Sequence, residues 1–302
     1  MNYELHFLTN VSTRREKSRR GREQLSLGNG EASWYNEPIE SHGKHRTGRP
    51  PPSRMKLALI SDVHANLEAL QAVLQVIKQE GVDLILHLGD LVGYNANPRE
   101  CIDLIGEHNV LCVIGNHDRA VLDLSLAEEF NLLAYQAAIW SERQLAASHR
   151  QFLQQLPLNR IIQDQFLACH GNPLNPDAYI SLHFQGKQAL NLLRRDFSPA
   201  TICFFGHTHR RAVWYRDVRG KVAQLAISAE PMPLERENLY LINPGSVGQP
   251  RNRIPLASLA IFDTSAYVLR YKLVPYNITA AQNKILAANL PTYLAERLAE
   301  GV

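Results

Sequence analysis

The sequence has few cysteines and no closely spaced pair of them. The four cysteines form no CxxC pair and lie far apart, at Cys101, Cys112, Cys169 and Cys203. Because they lie far apart and mostly in predicted buried elements, they are predicted to be free thiols in a reducing compartment. No apolar run approaches the roughly 18 residues that a membrane helix needs. Glu4 and His6 also fall where a signal peptide would be apolar. We therefore expect a cytoplasmic protein with no membrane partner.

The chain beyond residue 54 also lacks an excess of either charge. Residues 1–54 hold ten Lys or Arg and six Asp or Glu, whereas the other 248 residues hold 22 and 23. The net charge of +3 therefore comes from the first 54 residues. A near-neutral folded part gives no electrostatic support for a nucleic-acid partner.

Residues 1–54 lack hydrophobic periodicity as well. They are rich in Arg, Gly, Ser and Pro and end in Arg49-Pro-Pro-Pro-Ser53. Such a composition predicts a disordered arm. Met55 is one of only three methionines and directly precedes the first predicted strand. An equal alternative is therefore a native start at Met55, with residues 1–54 a mis-annotated start; a targeting or binding arm is the weaker alternative.

The stretch after Met55 combines a strand, a polar turn and a helix. Lys56–Ser61 is a short apolar run typical of a buried strand, and Asn66–Glu80 has the apolar spacing of a helix. On the last extended residues of a strand, Asp62 and His64 would point to the same side and offer an oxygen and a nitrogen to one metal ion. Alone this pattern is weak, because a carboxylate after a strand is usually a turn or cap residue.

Later predicted strands end in polar residues too. Leu84–Leu88, Val110–Ile114, Phe166–Cys169 and Thr201–Phe205 are each followed by carboxylate, amide or imidazole groups. In order, those groups are Asp90, Asn116, His117, His170, His207 and His209. Repeated strand-helix-strand units predict a largely parallel sheet, and such sheets place their sites outside the carboxyl ends of the strands.

Two further regions complete the predicted elements. Two apparent capping boxes, Ser125-x-x-Glu128 and Ser148-x-x-Gln151, predict a long amphipathic helix to about Ala147 and a shorter one that Pro157 ends. We favour a packing layer for this helical pair over a substrate-selecting cap containing Trp140. Short alternating segments beyond residue 210 predict hairpins in a second, more antiparallel sheet. These are Ala212–Trp214, Val222–Ile227, Leu239–Ile242, Ser258–Phe262 and Tyr267–Leu273.

Each polar residue has an ordinary explanation when taken singly. Asn66 fits a helix N-cap, and His87, inside a strand, fits a hydrogen-bonded core residue. Five strand ends bearing oxygen and imidazole groups, without a Cys cluster, instead describe a site for Mn, Fe or Zn. The set is too large for one ion. Two ions sharing a bridging carboxylate fit it, and such pairs serve in-line displacement at phosphorus.

The ordered blocks also match a family. Asp62-x-His64, Gly89-Asp90, Gly115-Asn116-His117-Asp118, His170 and Gly206-His207-x-His209 together resemble the calcineurin-like metallophosphoesterases over residues 55–274. The resemblance implies an α/β fold, a four-layer αββα sandwich with helices outside two facing sheets. Residues 275–302 are expected to form a C-terminal helical extension on the same domain.

The resemblance also implies roles for single residues. By position, Asp62, His64 and His209 would bind a first metal, Asn116, His170 and His207 a second, and Asp90 would bridge them. His117 matches the family's non-ligand histidine, which contacts the phosphate and protonates the leaving oxygen, and Asp118 is expected to orient it. The two divalent ions are expected to be manganese, with iron or zinc as alternatives.

A later block narrows the expected reaction. Asn243-Pro-Gly-Ser-Val-Gly-Gln-Pro-Arg251 resembles one in small prokaryotic phosphodiesterases, although a tight turn explains its first residues equally. Asp90 is followed by Leu-Val-Gly-Tyr, so the arginine of protein Ser/Thr phosphatases and dinucleoside polyphosphate hydrolases is missing. We expect a phosphodiesterase for small phosphoesters, with in-line attack by a metal-bridging hydroxide and His117 as general acid. Those two enzyme classes remain alternatives, as does a non-catalytic interaction scaffold.

Overall fold

The computed structural model describes residues 54–302. The expectations for residues 1–54 lie outside the described residues, apart from Arg54. Two six-stranded sheets pack face to face, and helices cover their outer faces. This arrangement confirms the predicted four-layer αββα sandwich.

The strands alternate with helices through most of the chain. The strands are β1 (Lys56–Ile60), β2 (Leu84–His87), β3 (Leu111–Cys112), β4 (Asn159–Ile162), β5 (Phe166–Cys169), β6 (Ile202–Phe204), β7 (Arg211–Arg216), β8 (Val222–Leu225), β9 (Met232–Pro233), β10 (Leu239–Pro244), β11 (Ala257–Asp263) and β12 (Val268–Val274). The helices are α1 (Leu67–Glu80), α2 (Pro98–Glu107), α3 (Asn116–Ala120), α4 (Leu132–Gln144), α5 (Ala147–Gln154), α6 (His183–Asp196), α7 (Ile278–Ala287) and α8 (Thr292–Glu300).

Each sheet combines parallel and antiparallel strands. The first sheet has the order β3-β2-β1-β11-β12-β9, and the second has the order β4-β5-β6-β10-β7-β8. Strands β1, β2 and β3 are parallel in the first sheet, as are β5, β6 and β10 in the second. Every other pairing is antiparallel. Each sheet therefore contributes three parallel strand ends to one region of the molecule.

The division of strands between the sheets differs from the prediction. Strands β5 and β6 were expected to continue the first sheet but lie in the second, and β11 and β12, expected in the second, lie in the first. The reason is that β1 is central: it pairs with β2 on one side and antiparallel with β11 on the other. Alternating hydrophobicity identifies a strand but does not specify its neighbours.

The core consists of one layer between the sheets and one beneath the helices on each side. In β1, Leu57 and Leu59 point to the layer between the sheets, whereas Ala58 and Ile60 pack under α1. All four are fully buried. Since successive side chains of a strand point to opposite faces, burial of both faces requires the continuous apolar run seen in the sequence.

The first helix begins and ends as its sequence predicts. The Asn66 side chain accepts a hydrogen bond from Ala69 N at 3.1 Å, and Gly81 ends the helix in a left-handed conformation with φ of 60°. An N-cap side chain satisfies a free N–H of the first turn, and glycine takes a positive φ at little cost. Asn66 is therefore a capping residue.

The two predicted capping boxes are wrong. Asn131, whose side chain accepts from Ala134 N at 3.1 Å, caps α4. Ser125 lies in a 3-10 turn, where its N–H and hydroxyl both donate to Asp123. Ser148 lies inside α5. An aspartate two residues before a serine competes for the same N–H, so the Ser-x-x-Glu pattern does not determine the cap here.

The last two helices pack against α1 and α4. Ile285 of α7 and Leu294 of α8 lie in one buried cluster with Tyr94 and Ala137, and Trp140 packs on its edge. The four cysteines are buried and free, as predicted. Among residues 54–302, no helix combines the length and hydropathy needed to cross a membrane.

Candidate metal centre

The ends of five parallel strands bring the predicted ligands into one buried cluster. Its members are at most 9% exposed: Asp62, His64, Asp90, Asn116, His170, His207 and His209. Asp62, His64, Asp90 and His209 form one group that could hold a metal ion, and Asp90, His170 and His207 form another. Within each group the ligand atoms lie within 4.8 Å of one another. Asp90 belongs to both groups.

One carboxylate oxygen of Asp90 faces both groups. Its Oδ2 lies 3.2 Å from His170 Nε2 and 3.6 Å from His64 Nε2. Its Oδ1 accepts a hydrogen bond from the backbone N–H of His117 at 2.8 Å, which fixes the orientation of the carboxylate. The Asn116 side-chain oxygen lies 3.0 Å from His170 Nε2. An oxygen in this position can be shared by two cations.

The backbone turns sharply at these residues. Asp62 and His64 have φ of 52° and 47°, so the expectation that they are extended strand residues is wrong. Asp90, His207 and His209 have positive φ as well. Non-glycine residues in this region are strained and cluster at functional sites. Hydrogen bonds from Asp62 N to Gly89 O and from His64 N to Asp90 O, both 3.0 Å, hold the first turn.

Backbone carbonyls set which imidazole nitrogen faces the cluster. The Nδ1–H groups of His64, His170 and His209 donate to the carbonyls of Val92, Leu88 and Gln249, at 3.0, 2.7 and 2.7 Å. Each of these rings therefore directs the lone pair of Nε2 inward. His207 is reversed, because its Nε2 contacts Asp177 O at 3.1 Å. Outer hydrogen bonds of this kind fix the tautomer of metal-binding histidines.

The donor atoms themselves fit a cation. His64 Nε2 and His209 Nε2 lie 3.1 Å apart, so two lone pairs face each other. Asp62 Oδ2 is buried and has no hydrogen-bond partner among residues 54–302. Opposed lone pairs and an unpartnered carboxylate oxygen are unfavourable together unless positive charge lies between them. Imidazole and carboxylate donors suit first-row divalent ions.

The pKa values of the clustered Asp and His side chains are shifted by burial and by their charged neighbours. Burial raises the pKa of Asp62 to about 7 and lowers that of His207 to about 3. Burial also opposes a charge on His170, but the Asp90 and Asp62 carboxylates outweigh it and raise its pKa to about 10. The carboxylates thus favour a positive charge on His170, which would release this proton on binding a metal ion, whereas His207 is kept neutral, as a metal ligand must be.

Asp118 serves the Asp90 loop. Its two oxygens accept hydrogen bonds from the backbone N–H groups of Asp90, Leu91, Val92 and Gly115, at 2.9, 2.8, 3.1 and 3.0 Å. The expectation that it orients His117 is therefore corrected. It holds the backbone on either side of the shared carboxylate, and burial raises its pKa to about 6.

His117 lies beside the two groups and belongs to neither. Its ring contacts those of Tyr94 and Phe130, with 4.6 Å between ring centroids in each case, and that of His64 at 4.8 Å. Its Nδ1 has no hydrogen-bond partner within the described part of the chain. His117 also lines a cavity of about 520 Å³. A molecule in this cavity would meet His117 directly.

The region predicted as the first helix of the pair forms part of this cavity. Leu126 of the 3-10 turn, Asn131 at the N-cap of α4 and Ala134 within α4 line it together with Asn116 and His207. The packing layer that we favoured for this region is therefore also a wall of the site. Trp140, named only in the disfavoured alternative of a substrate-selecting cap, packs toward the C-terminal helices. Tyr179, whose ring stacks on His207 at 4.1 Å, adds a further wall.

The loop after β10 supports the first group, and the sequence analysis missed its role. Ser246 Oγ donates to Asp62 O at 2.8 Å, and the Gln249 carbonyl accepts from His209. The predicted tight turn is present, with Gly245 N donating to Asn243 Oδ1 at 2.8 Å. The overlooked signal was position: this block comes after a parallel strand, as the predicted ligands do.

Gly115 is required by close packing at the shared carboxylate. A Cβ at this position would lie 2.1 Å from Asp90 Oδ1 and 2.2 Å from Asp90 N. Gly115→Ala should therefore displace Asp90 and cost about 1–3 kcal/mol of stability, as overpacking does. Thermal unfolding and metal titration would measure both effects.

Gly106→Ala is the matched control, because a Cβ there meets no atom within 4 Å. Lying inside α2, this variant should be stabilised by about 0.5–1 kcal/mol. Equal melting temperatures and metal affinities for the Gly115→Ala variant and the wild type would contradict the packing argument.

Comparison with known proteins identifies the family. Residues 55–267 match the calcineurin-like phosphoesterase superfamily domain. The fold and the buried Asp and His cluster are those of a metallophosphoesterase. The chain belongs to the calcineurin-like phosphoesterase superfamily, a family of phosphoester hydrolases.

Individual relatives agree with this placement. The chain is 38% identical over 245 residues to an uncharacterised protein of Methanocaldococcus jannaschii, covering 80% of this chain and 96% of that protein. A metallophosphoesterase crystal structure from Sphaerobacter thermophilus is 38% identical, with a TM-score of 0.69, covering 83% of this chain and 100% of the other. A hypothetical protein of Pyrococcus horikoshii, 20% identical, shares the fold with a TM-score of 0.66 and coverage of 82% and 98%.

Proposed function

We propose that this protein is a two-metal phosphodiesterase that hydrolyses a small phosphodiester in the cytoplasm. The observation that carries the proposal is the position of the Asp90 carboxylate. It belongs to both buried groups of ligand residues, and these lie beside a cavity of about 520 Å³. Two-metal sites bridged in this way serve in-line displacement at phosphorus. The four free cysteines favour the cytoplasm as the compartment.

The two groups would hold one ion each. Asp62, His64 and His209 would bind the first, Asn116, His170 and His207 the second, and Asp90 both. Manganese is the proposed metal, with iron or zinc as alternatives, because the donors are nitrogen and oxygen without thiolate. Such ions, when bound, supply positive charge to the phosphoryl oxygens and acidify water.

The chain's own residues would position the phosphate and move the proton. Asp118 holds the Asp90 backbone, and the carbonyls of Val92, Leu88 and Gln249 hold three of the imidazoles in the ligand tautomer. His117 lines the cavity beside Phe130. From there it would protonate the oxygen that leaves phosphorus. The Tyr94, Phe130 and Tyr179 rings would exclude water from the leaving group.

The preference for a diester is supported by the run of residues that follows Asp90. This run is Leu91-Val92-Gly93-Tyr94, so it carries no phosphate-binding arginine. A monoester presents an additional negative oxygen that such an arginine would bind, whereas a diester has an ester arm there instead. A charged hydrogen bond is worth about 1.5–3 kcal/mol, or roughly tenfold or more in binding.

Bis-p-nitrophenyl phosphate should therefore be hydrolysed with a kcat/KM at least about tenfold above that of p-nitrophenyl phosphate in the presence of Mn²⁺. The two substrates share one leaving group, so their ratio isolates the effect of the second ester arm. A ratio below one would assign the protein to monoester chemistry. No turnover of either substrate with any of the three metals would refute the proposed function.

A further inference from the structure

Four arginines line an open cavity of about 390 Å³ beside the metal centre. They are Arg210, Arg211, Arg251 and Arg253, and the wall is completed by Ile227 and Asn252. We call this the arginine pocket. Arg210 ends the loop after β6 and Arg211 begins β7, whereas Arg251 and Arg253 lie in the loop after β10. Because β6 and β10 are neighbours in the second sheet, their loops lie side by side.

In the described part of the chain, no carboxylate forms an ion pair with the arginine pocket. Within residues 54–302, none of its four guanidinium groups has a carboxylate oxygen within 4.0 Å. Some other arginines of the domain are paired with a carboxylate, such as Arg119 with Asp177 at 3.1 Å and Arg150 with Glu142 at 2.7 Å. Four cations around one cavity repel each other unless an anion enters it.

The hydrogen bonds of the arginine pocket leave donors available. Arg210 Nε donates to the backbone carbonyl of Arg251 at 3.2 Å, and Arg251 Nη2 donates to Gln249 Oε1 at 2.9 Å. Arg251 Nε is buried and has no partner in the described range. Guanidinium groups hold phosphate through paired N–H donors, so a cavity lined by four of them matches a phosphate group.

The arginine pocket begins at the metal centre. Arg210 directly follows His209, and Arg251 N donates to the His209 carbonyl at 3.3 Å. The Arg251 guanidinium also lies 6.0 Å from the centre of the Tyr94 ring, which contacts His64. The larger cavity borders the other metal group, through Asn116 and His207. A phosphoester bound at the metals could therefore extend one arm toward each cavity.

We propose that the arginine pocket binds a second phosphate group of the substrate, an inference that rests on the proposed phosphodiesterase function. The substrate class is then a phosphodiester in which one arm fills the cavity walled by Tyr94, Phe130 and Tyr179. The other arm carries a further phosphate that the arginines bind. This assigns Arg210, Arg211, Arg251 and Arg253 as specificity-determining residues.

The test compares two nucleotides that differ by one phosphate. Calorimetry would give the Kd of thymidine 5′-monophosphate and of thymidine 3′,5′-bisphosphate for the full chain loaded with Mn²⁺. One charged hydrogen bond gives about tenfold, so the bisphosphate should bind at least about tenfold more tightly. In Arg210→Gln/Arg253→Gln this ratio should fall toward one. Arg219→Gln removes one such positive charge from the exposed β7–β8 turn, away from the arginine pocket, and should keep the wild-type ratio.

Two outcomes would overturn the inference. The first is equal Kd values for the two nucleotides in the wild type. The second is a wild type that shows no preference for the bisphosphate but binds the monophosphate more tightly when free inorganic phosphate is added. That result would assign the arginines to a separate anion. Turnover of bis-p-nitrophenyl phosphate in the same preparation tests the proposed function by itself. Normal turnover with equal Kd values would thus remove this inference alone.

Discussion

Asp90→Asn is expected to lose bound metal and activity together. The Asp90 Oδ2 atom lies 3.2 Å from His170 Nε2 and 3.6 Å from His64 Nε2, so one oxygen serves both groups. An amide removes the negative charge, and its oxygen is a weaker ligand than a carboxylate. The loss of metal affinity should exceed the roughly 10- to 100-fold that results from removal of an outer-shell partner.

Elemental analysis of metal per chain and turnover of bis-p-nitrophenyl phosphate would be measured on the same samples. The Asp164→Asn variant is the matched control. Asp164 lies exposed in the β4–β5 turn, where asparagine tolerates the observed φ of 53°. It should keep wild-type metal content and turnover. An Asp90→Asn variant that retains both metals would show that Asp90 does not bridge them.

His117→Asn is expected to keep both metals and to lose about 100-fold or more in turnover, within the range for a lost general acid. The ring lies outside both ligand groups, and its Nδ1 has no partner among the described residues. The defect should shrink when the leaving group has a low pKa, because a stable anion needs little protonation. This dependence separates proton transfer from positioning.

The measurement compares a p-nitrophenyl diester with the corresponding phenyl diester, whose leaving group is more basic. Metal content is determined in parallel. His108→Asn, at the exposed end of α2, changes the same residue type and should match the wild type. Metal loss as large as in Asp90→Asn would make His117 a ligand. An equal defect with both diesters would make it a positioning residue, and the acid would then be another group.

Local patterns determined the parts of the site that depend on short segments. Strand β1 is buried on both faces, so its sequence has to be apolar. The polar residues that follow it therefore lie beyond the end of the strand. The spacing Asp62-x-His64 and the blocks at Asp90 and Asn116 agree with this rule. Parallel strands end at a common edge of the sheet, and this rule also predicted which residues the fold brings together.

Side-chain partners could not be predicted in the same way. Asp118 lies next to His117 in the sequence, yet its oxygens accept N–H groups from the Asp90 loop, 26 to 28 residues away. Arg251 N donates to the His209 carbonyl from a loop whose first residues a tight turn explained equally well. Such contacts depend on which loops the sheets place side by side.

The layered α/β class and the strand ends that carry the Asp and His residues were therefore predictable from the sequence alone. Both depend on the period of side-chain burial, which is local. The tertiary structure was needed to show which strands share a sheet, which oxygen of Asp90 faces both groups and which arginines meet around one cavity. These depend on pairing between segments far apart in the chain, such as β1 with β11 and β6 with β10. Hydrogen bonding between strands is nearly independent of side-chain identity, so no local pattern encodes it.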